Sequence, residues 1–300
     1  MKKKYRLVFY FYFFITFLFI LLVVPLIFRL HAFNQKMKIE VKNQIITPYY
    51  EKKVFQLPEE IKAKRYQAVS INKKVKIPII MYHYVDYVKD INDVIHKGLS
   101  INPIFFEQEL KTLKEAGYQT YFVKEIPDIL DEKISYSTQS AVPTFDDGYE
   151  DFYTVAFPIL KKYQMKATIY VVYDFIGRKG FMDEEEIKEV IESGLVELGS
   201  HTLNHFYLKL SPEPVAKKQI FESKKKLEER FGVEVKTFAY PYGAFSQKTV
   251  DLVKEAGYTA AVSVIPSMQQ SKNGLYYLGR VRPGIFGAKN IVEVIENYQK

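Results

Sequence analysis

Two hydrophobic textures divide this chain. Residues 7–28 read LVFYFYFFITFLFILLVVPLIF, apolar on every helical face and without a charge. At 1.5 Å per residue, such a span crosses a hydrocarbon core of roughly 30 Å. Lys2, Lys3, Lys4 and Arg6 precede it and favour a cytoplasmic tail of residues 1–6, with the rest of the chain outside. No A-x-A site follows, so the pattern predicts an uncleaved signal anchor; a cleaved signal and a buried core helix are the alternatives. Residues 29–75 are polar and rich in lysine, with no long apolar period, and predict a linker or stalk.

From residue 76 short apolar runs alternate with amphipathic segments. IPIIMYHYV, SAVPTF, KATIYVVYDFI, LVELGSH, VKTFAYPYG, TAAVSVI and LYYLGRVR read as strands. Between them NPIFFEQELKTLKEAGY reads as a helix, with Asn102 as cap, Pro103 in the first turn and Gly117 at the stop. EDFYTVAFPILKKYQ (despite Pro158), MDEEEIKEVIESG, EPVAKKQIFESKKKLEERFG and SQKTVDLVKEAGY read likewise. This alternation predicts an α/β fold with a parallel sheet, and its length fits a distorted (β/α) barrel over residues 76–300.

Composition narrows the chemistry. Hydrophobic residues make up 48% of the 300, enough for a sizeable core. There is no cysteine, which removes disulfides, thiolate ligands and a cysteine nucleophile. The net charge of +8 suits an anionic surface, and MKKKYR supplies part of it. A nucleic-acid role has only that charge behind it and is set aside.

On a β/α scaffold reactive side chains collect where strands end. MYHYV, TFDDGY, GSHTLNH and YPYGAF occupy such positions. His201 and His205 are spaced to chelate one metal, on a helix face or on a strand-end loop. Asp146 and Asp147 read either as a solvated turn or as a ligand beside a proton acceptor. Two histidines with one carboxylate form a common catalytic zinc set, and a second carboxylate can take the proton of water. His83 closes an apolar strand and is either a satisfied core imidazole or a general acid. His96, among polar loop residues, is the weaker candidate for that acid. The bend at Pro241 and Gly243 can aim the Tyr242 backbone N–H at an oxyanion.

Together these stretches resemble the polysaccharide deacetylase family, carbohydrate esterase family 4, over roughly residues 76–290. TFDDG resembles its first motif, SHTLNH its H-[ST]-x-x-H motif, and FAYPYG its groove-lining third motif. The resemblance implies that Asp146 is the general base. It implies that Asp147, His201 and His205 bind a divalent metal, Zn2+ first, with Co2+ or Mn2+ as alternatives. Tyr242 would donate its backbone N–H, and Tyr149, Tyr240, Pro241 and Tyr242 would line the groove. Two departures stand out: Ala239 occupies the usual place of an arginine that orients the base, and no acid-histidine motif lies near the C-terminus. Both resemble the permuted branch containing poly-N-acetylglucosamine and cell-wall N-acetylglucosamine deacetylases, in which a YH strand supplies the acid, here His83. Arg280 or Arg282 is then the expected replacement for the missing arginine.

The expectation is a monomeric, membrane-anchored, metal-dependent hydrolase with an extracytoplasmic catalytic domain. Its substrate would be an N-acetylglucosamine-containing envelope glycan: peptidoglycan, a wall-linked glycan or poly-N-acetylglucosamine. A polysaccharide O-acetyl esterase and a non-catalytic glycan-binding protein on the same fold are the alternatives.

Overall fold

The computed structural model describes residues 74–90, 92–282 and 291–297. The expected anchor (7–28) and all but the last residues of the expected linker lie outside them. Among the described residues no helix is long and apolar enough to cross a membrane.

Six strands form a continuous parallel sheet in the order β10-β9-β8-β7-β6-β2. They are β2 (Ile79–Tyr82), β6 (Ser140–Phe145), β7 (Ala167–Val171), β8 (Val196–Ser200), β9 (Thr237–Ala239) and β10 (Ala260–Val262). A short β5 (Gln119–Thr120) pairs with the start of β6, while β1 (Val75–Lys76) pairs with β11 (Gln269–Gln270) and β3 (Tyr84–Val85) with β4 (Ser100–Ile101). The sheet is curled, and one extended segment joins its two edges. Leu278 N–H donates to Ala261 O on β10, while Val281 N–H donates to Ile79 O on β2, both at 2.8 Å. This arrangement agrees with the expected distorted (β/α) barrel. LYYLGRVR is only partly the expected strand, because residues 272–277 form a 3-10 turn before the joining segment.

Both faces of the sheet are buried, which is why its strands read as apolar runs. Alternation still sorts them, since successive side chains point to opposite faces. Ile80, Ala141, Phe145, Ile169, Leu198 and Phe238 pack outward against the helices. Ile77, Ile79, Val142, Tyr170, Ala239 and Val262 pack inside the curl. His83, Asp146 and His201 continue the inward rows of β2, β6 and β8 by even steps. The period-2 pattern therefore brings all three to one mouth.

Helix limits follow their caps. α2 (Pro103–Glu115) starts at Asn102, whose side chain accepts from Ile104 N–H, and Gly117 turns the chain away at φ +77°. α5 (Glu184–Glu192) opens on an Asp183–Glu186 capping box. α6 (Glu213–Phe231) ends at Gly232 in the left-handed region. α7 (Gln247–Glu255) and the short α1 (Val94–Leu99), α3 (Ile126–Leu130), α4 (Phe157–Tyr163) and α8 (Ile291–Asn297) complete the set. The helix expected through Pro158 is two pieces: a wide π turn over Phe152–Ala156 leads into α4. The wide turn carries the chain to Pro158, which has no N–H to give, at the second position of α4.

Gly199 shapes the inside of the curl. A Cβ there would stand 2.5 Å from the Tyr170 ring and 3.0 Å from Thr237 Oγ1. Tyr170 is fully buried, with the Arg280 guanidinium 6.0 Å from its ring centroid. Gly199→Ala is expected to overpack this layer and cost about 2 kcal/mol, read as a lower midpoint in denaturant unfolding.

Candidate active site

Asp146 and Asp147 follow β6 directly and are both buried. Asp146 extends the inward row. Asp147 and Gly148 then turn in the left-handed region, at φ +76° and +79°. Glycine relieves the second of these, while Asp147 holds a conformation in which L side chains are uncommon. That turn aims the two adjacent carboxylates differently.

Asp146 meets Arg280, which lies on the segment joining the sheet edges. Arg280 Nη1 donates to Asp146 Oδ1 and Nη2 to Oδ2, both at 2.7 Å. The guanidinium also donates to Thr144 Oγ1 at 3.1 Å and, through Nε, to Ser263 O at 2.9 Å. Arg280 is 1% exposed and Asp146 4%. Burial by itself would raise the Asp146 pKa, but the Arg280 pair outweighs it and holds the group below the usual carboxylate value. Of the two arginines expected near Asp146, Arg280 is the one that pairs with it. Arg282 points elsewhere and donates to Gly98 O at 2.7 Å.

Asp147 turns to the histidines. Its Oδ1 lies 3.4 Å from His201 Nε2 and 3.3 Å from His205 Nε2. SHTLNH is a strand-end loop here, not a helix, with Thr202 and His205 at φ +69° and +58°. His201 Nδ1 lies 2.8 Å from Ala239 O, a group that can only accept, so in the neutral ring Nδ1 carries the proton and Nε2 presents its lone pair. Burial pushes the His205 pKa down to about 4, with His201 adding to the effect, so its imidazole is neutral near pH 7. Burial also opposes charge on His201, but Asp147 and Asp146 overcome it and raise that pKa. Burial disfavours the Asp147 anion, yet His201 and the other imidazoles hold its pKa far below normal.

Among the described residues these three donors are the group placed to share a metal ion, with ligand atoms within 4.8 Å of one another. Asp147 Oδ1 is buried with no well-formed hydrogen bond. An acceptor left in this way beside two imidazole lone pairs fits a cation between them.

His83 breaks the strand between β2 and β3 (Tyr84–Val85). Its Nε2 stands 3.9 Å from Asp146 Oδ2. Burial lowers its pKa more than the Asp146 and Asp147 charges raise it, which makes its charged form a stronger acid. His96 is outside this group. It pairs with Asp86 at 2.9 Å and packs on Tyr84.

The expected groove residues divide. Tyr242 is 47% exposed at φ +59°, with its ring 4.4 Å from that of His205. Tyr149 is half-buried and stacks on Tyr84. Tyr240 corrects the sequence reading: it is 1% exposed, packs on Phe238 and Phe245, and donates its hydroxyl to Tyr276 O. Pro241 is also buried. Alternation explains the difference, because Tyr240 follows the outward row of Phe238. Sequence reasoning missed Thr144, Ser263 and the Ala239 carbonyl, which hold Arg280 and His201, because a hydroxyl or a carbonyl on a strand carries no pattern.

Removing one partner of a buried ion pair strands the other. Arg280→Met is expected to destabilise the fold by about 3–5 kcal/mol in urea unfolding, most of it regained when Asp146→Asn is added.

A family model described as polysaccharide deacetylase matches residues 133–261. YxkH of Bacillus subtilis (strain 168), a polysaccharide deacetylase by name, is 34% identical over 223 residues, 73% of this chain and 76% of that protein. A poly-beta-1,6-N-acetyl-D-glucosamine N-deacetylase of Staphylococcus aureus (strain N315) is 27% identical over 245 residues, 75% of this chain and 81% of its own length. Among solved structures, the Streptococcus pyogenes deacetylase PplD in complex with acetate superposes with a TM-score of 0.65 at 30% identity, over 70% of this chain and 93% of that one. IcaB from Ammonifex degensii superposes at 0.61 with 25% identity, over 71% and 94%. The chain belongs to the polysaccharide deacetylase family, carbohydrate esterase family 4, and is a hydrolase of carbon–nitrogen bonds.

Proposed function

We propose that this chain is a membrane-anchored, metal-dependent N-deacetylase acting on N-acetylglucosamine units of an envelope glycan outside the cell. The observation that carries the reading is the convergence of two unlike carboxylates, one paired with Arg280 and one facing His201 and His205. The N-acetylglucosamine substrate of the staphylococcal relative and the acetate held by PplD support amide hydrolysis. The uninterrupted apolar run at 7–28 supports the anchor.

Charge supports the same placement. Of the 43 basic side chains, 14 fall in residues 1–73, beside only four acidic ones. The remainder has 29 basic and 31 acidic side chains, so the excess positive charge belongs to the segment next to the membrane and not to the catalytic domain. Attraction to anionic lipid or wall polymer is then a property of the N-terminal part.

Asp147, His201 and His205 would hold the cation. When bound it supplies Lewis acidity at the acetyl carbonyl and brings the pKa of water toward neutrality. Asp146 takes a proton from the attacking water. Arg280 keeps Asp146 ionised, with some loss of basicity, and fixes its plane while each oxygen retains a second lone pair. The Tyr242 backbone N–H steadies the developing oxyanion. His83 protonates the glucosamine nitrogen as the C–N bond breaks, and acetate leaves.

The test uses the full chain, metal analysis and acetate release from N-acetylglucosamine oligomers and purified wall. Asp147→Asn and His201→Ala are expected to lose metal and turnover together. Asp146→Asn should keep one metal per chain while turnover falls at least ~100-fold. An active Asp146→Asn protein, or a wild-type chain without metal and acetate release, overturns the reading.

A further inference from the structure

His83 is a proton donor without a visible handle on its ring. Its Nδ1 is buried and has no hydrogen-bond partner among the described residues, and its Nε2 is 3.9 Å from Asp146, beyond hydrogen-bond reach. The imidazole must therefore be aimed by its backbone and its neighbours. His83 also sits in a break between two strands.

Two contacts tie the chain just after His83 to the chain just after Asp147. Asp151 accepts the Val85 backbone N–H through Oδ2. The Tyr84 ring stacks on Tyr149, with centroids 3.7 Å apart and planes 22° apart. Tyr149 in turn stacks on Phe181 at 5.0 Å, and His96 covers the Tyr84 ring at 4.2 Å. His96 is itself held by Asp86. Asp151 stands at the start of the wide turn Phe152–Ala156, which fixes it to the same loop that carries both aspartates. Ordinary strand pairing explains none of these contacts.

We infer that Asp151 is a positioning residue for the general acid: by holding the Val85 N–H it sets His83 against the Asp146–Asp147 turn, with the Tyr84–Tyr149 stack as a second clamp. This rests on the proposed role of His83 in amide hydrolysis. The consequence is selective, because protonation matters most for a poor leaving group. A glucosamine nitrogen needs a proton to depart, whereas a nitrophenolate does not.

The experiment compares wild type, Asp151→Ala, Asp151→Asn and Tyr84→Leu in the full chain. Each is assayed on N-acetylglucosamine pentamer and on 4-nitrophenyl acetate, with bound metal measured in parallel. Asp151→Ala is expected to lower the amide-to-ester ratio of kcat at least ~10-fold, with KM for the pentamer and metal content held. Asp151→Asn keeps a carbonyl oxygen for Val85 N–H and should restore most of that ratio. Should Asp151→Ala fail to fold, Tyr84→Leu carries the same expected fall in ratio. Equal losses on both substrates, an unchanged ratio, or no rescue by asparagine overturns the inference and leaves the proposed function standing. A wild-type enzyme that cleaves the ester but not the amide overturns the N-deacetylase reading, and the inference falls with it.

Discussion

The buried pair between Asp146 and Arg280 is the constraint on which the rest of the site depends. A carboxylate at 4% exposure cannot stay ionised without a partner, and a guanidinium at 1% exposure cannot stay buried without one. Each makes the other tolerable, and Thr144 and Ser263 take further guanidinium donors. Because Arg280 sits on the segment joining β10 to β2, the curl of the sheet and the ionisation of Asp146 are one structural fact. Gly199 belongs to the same arrangement, since it leaves room for the Tyr170 ring beside the guanidinium.

Around that pair, backbone conformation separates groups that sequence places side by side. Asp147, Thr202, His205 and Tyr242 all adopt positive φ without being glycine. Such residues cost energy locally and persist where surrounding contacts fix them. Here the left-handed turn at Asp147 sends one carboxylate to Arg280 and its neighbour to the imidazoles. The turns at Thr202 and His205 bring both histidines to one oxygen without a helix. The His201 tautomer is set by the Ala239 carbonyl, so the position lacking an arginine still acts on the site through its backbone.

Much of this was legible in the chain, and the gaps have physical reasons. Alternating runs and caps such as Asn102 and Gly232 marked the elements, because capping chemistry is local. The aspartate pair and the two histidines were visible because metal and proton chemistry use few residue types. The choice of Arg280 over Arg282 was not visible, because it depends on how the last segment meets the first strand. Tyr240 was misplaced among the groove residues, although counting by twos from Phe238 would have turned it outward, into the layer beneath the helices. The break at His83 and the contact from Asp151 to Val85 lay beyond reading, since both join segments far apart in sequence.

The route of the chain through the fold also sets when the site can exist. His83 follows the end of β2 and Arg280 lies near the end of the domain, so Asp146 must wait for a partner 134 residues downstream. Gln270 reaches back 193 residues to the carbonyl of Ile77. A nascent chain lacking its final segment has both aspartates and both histidines but leaves a bare carboxylate facing an unclosed sheet. Closure of the site therefore depends on late, non-local pairing, which must pay its loop-closure entropy before the contacts reward it. That ordering keeps the centre incomplete until the last segment of the domain has been made.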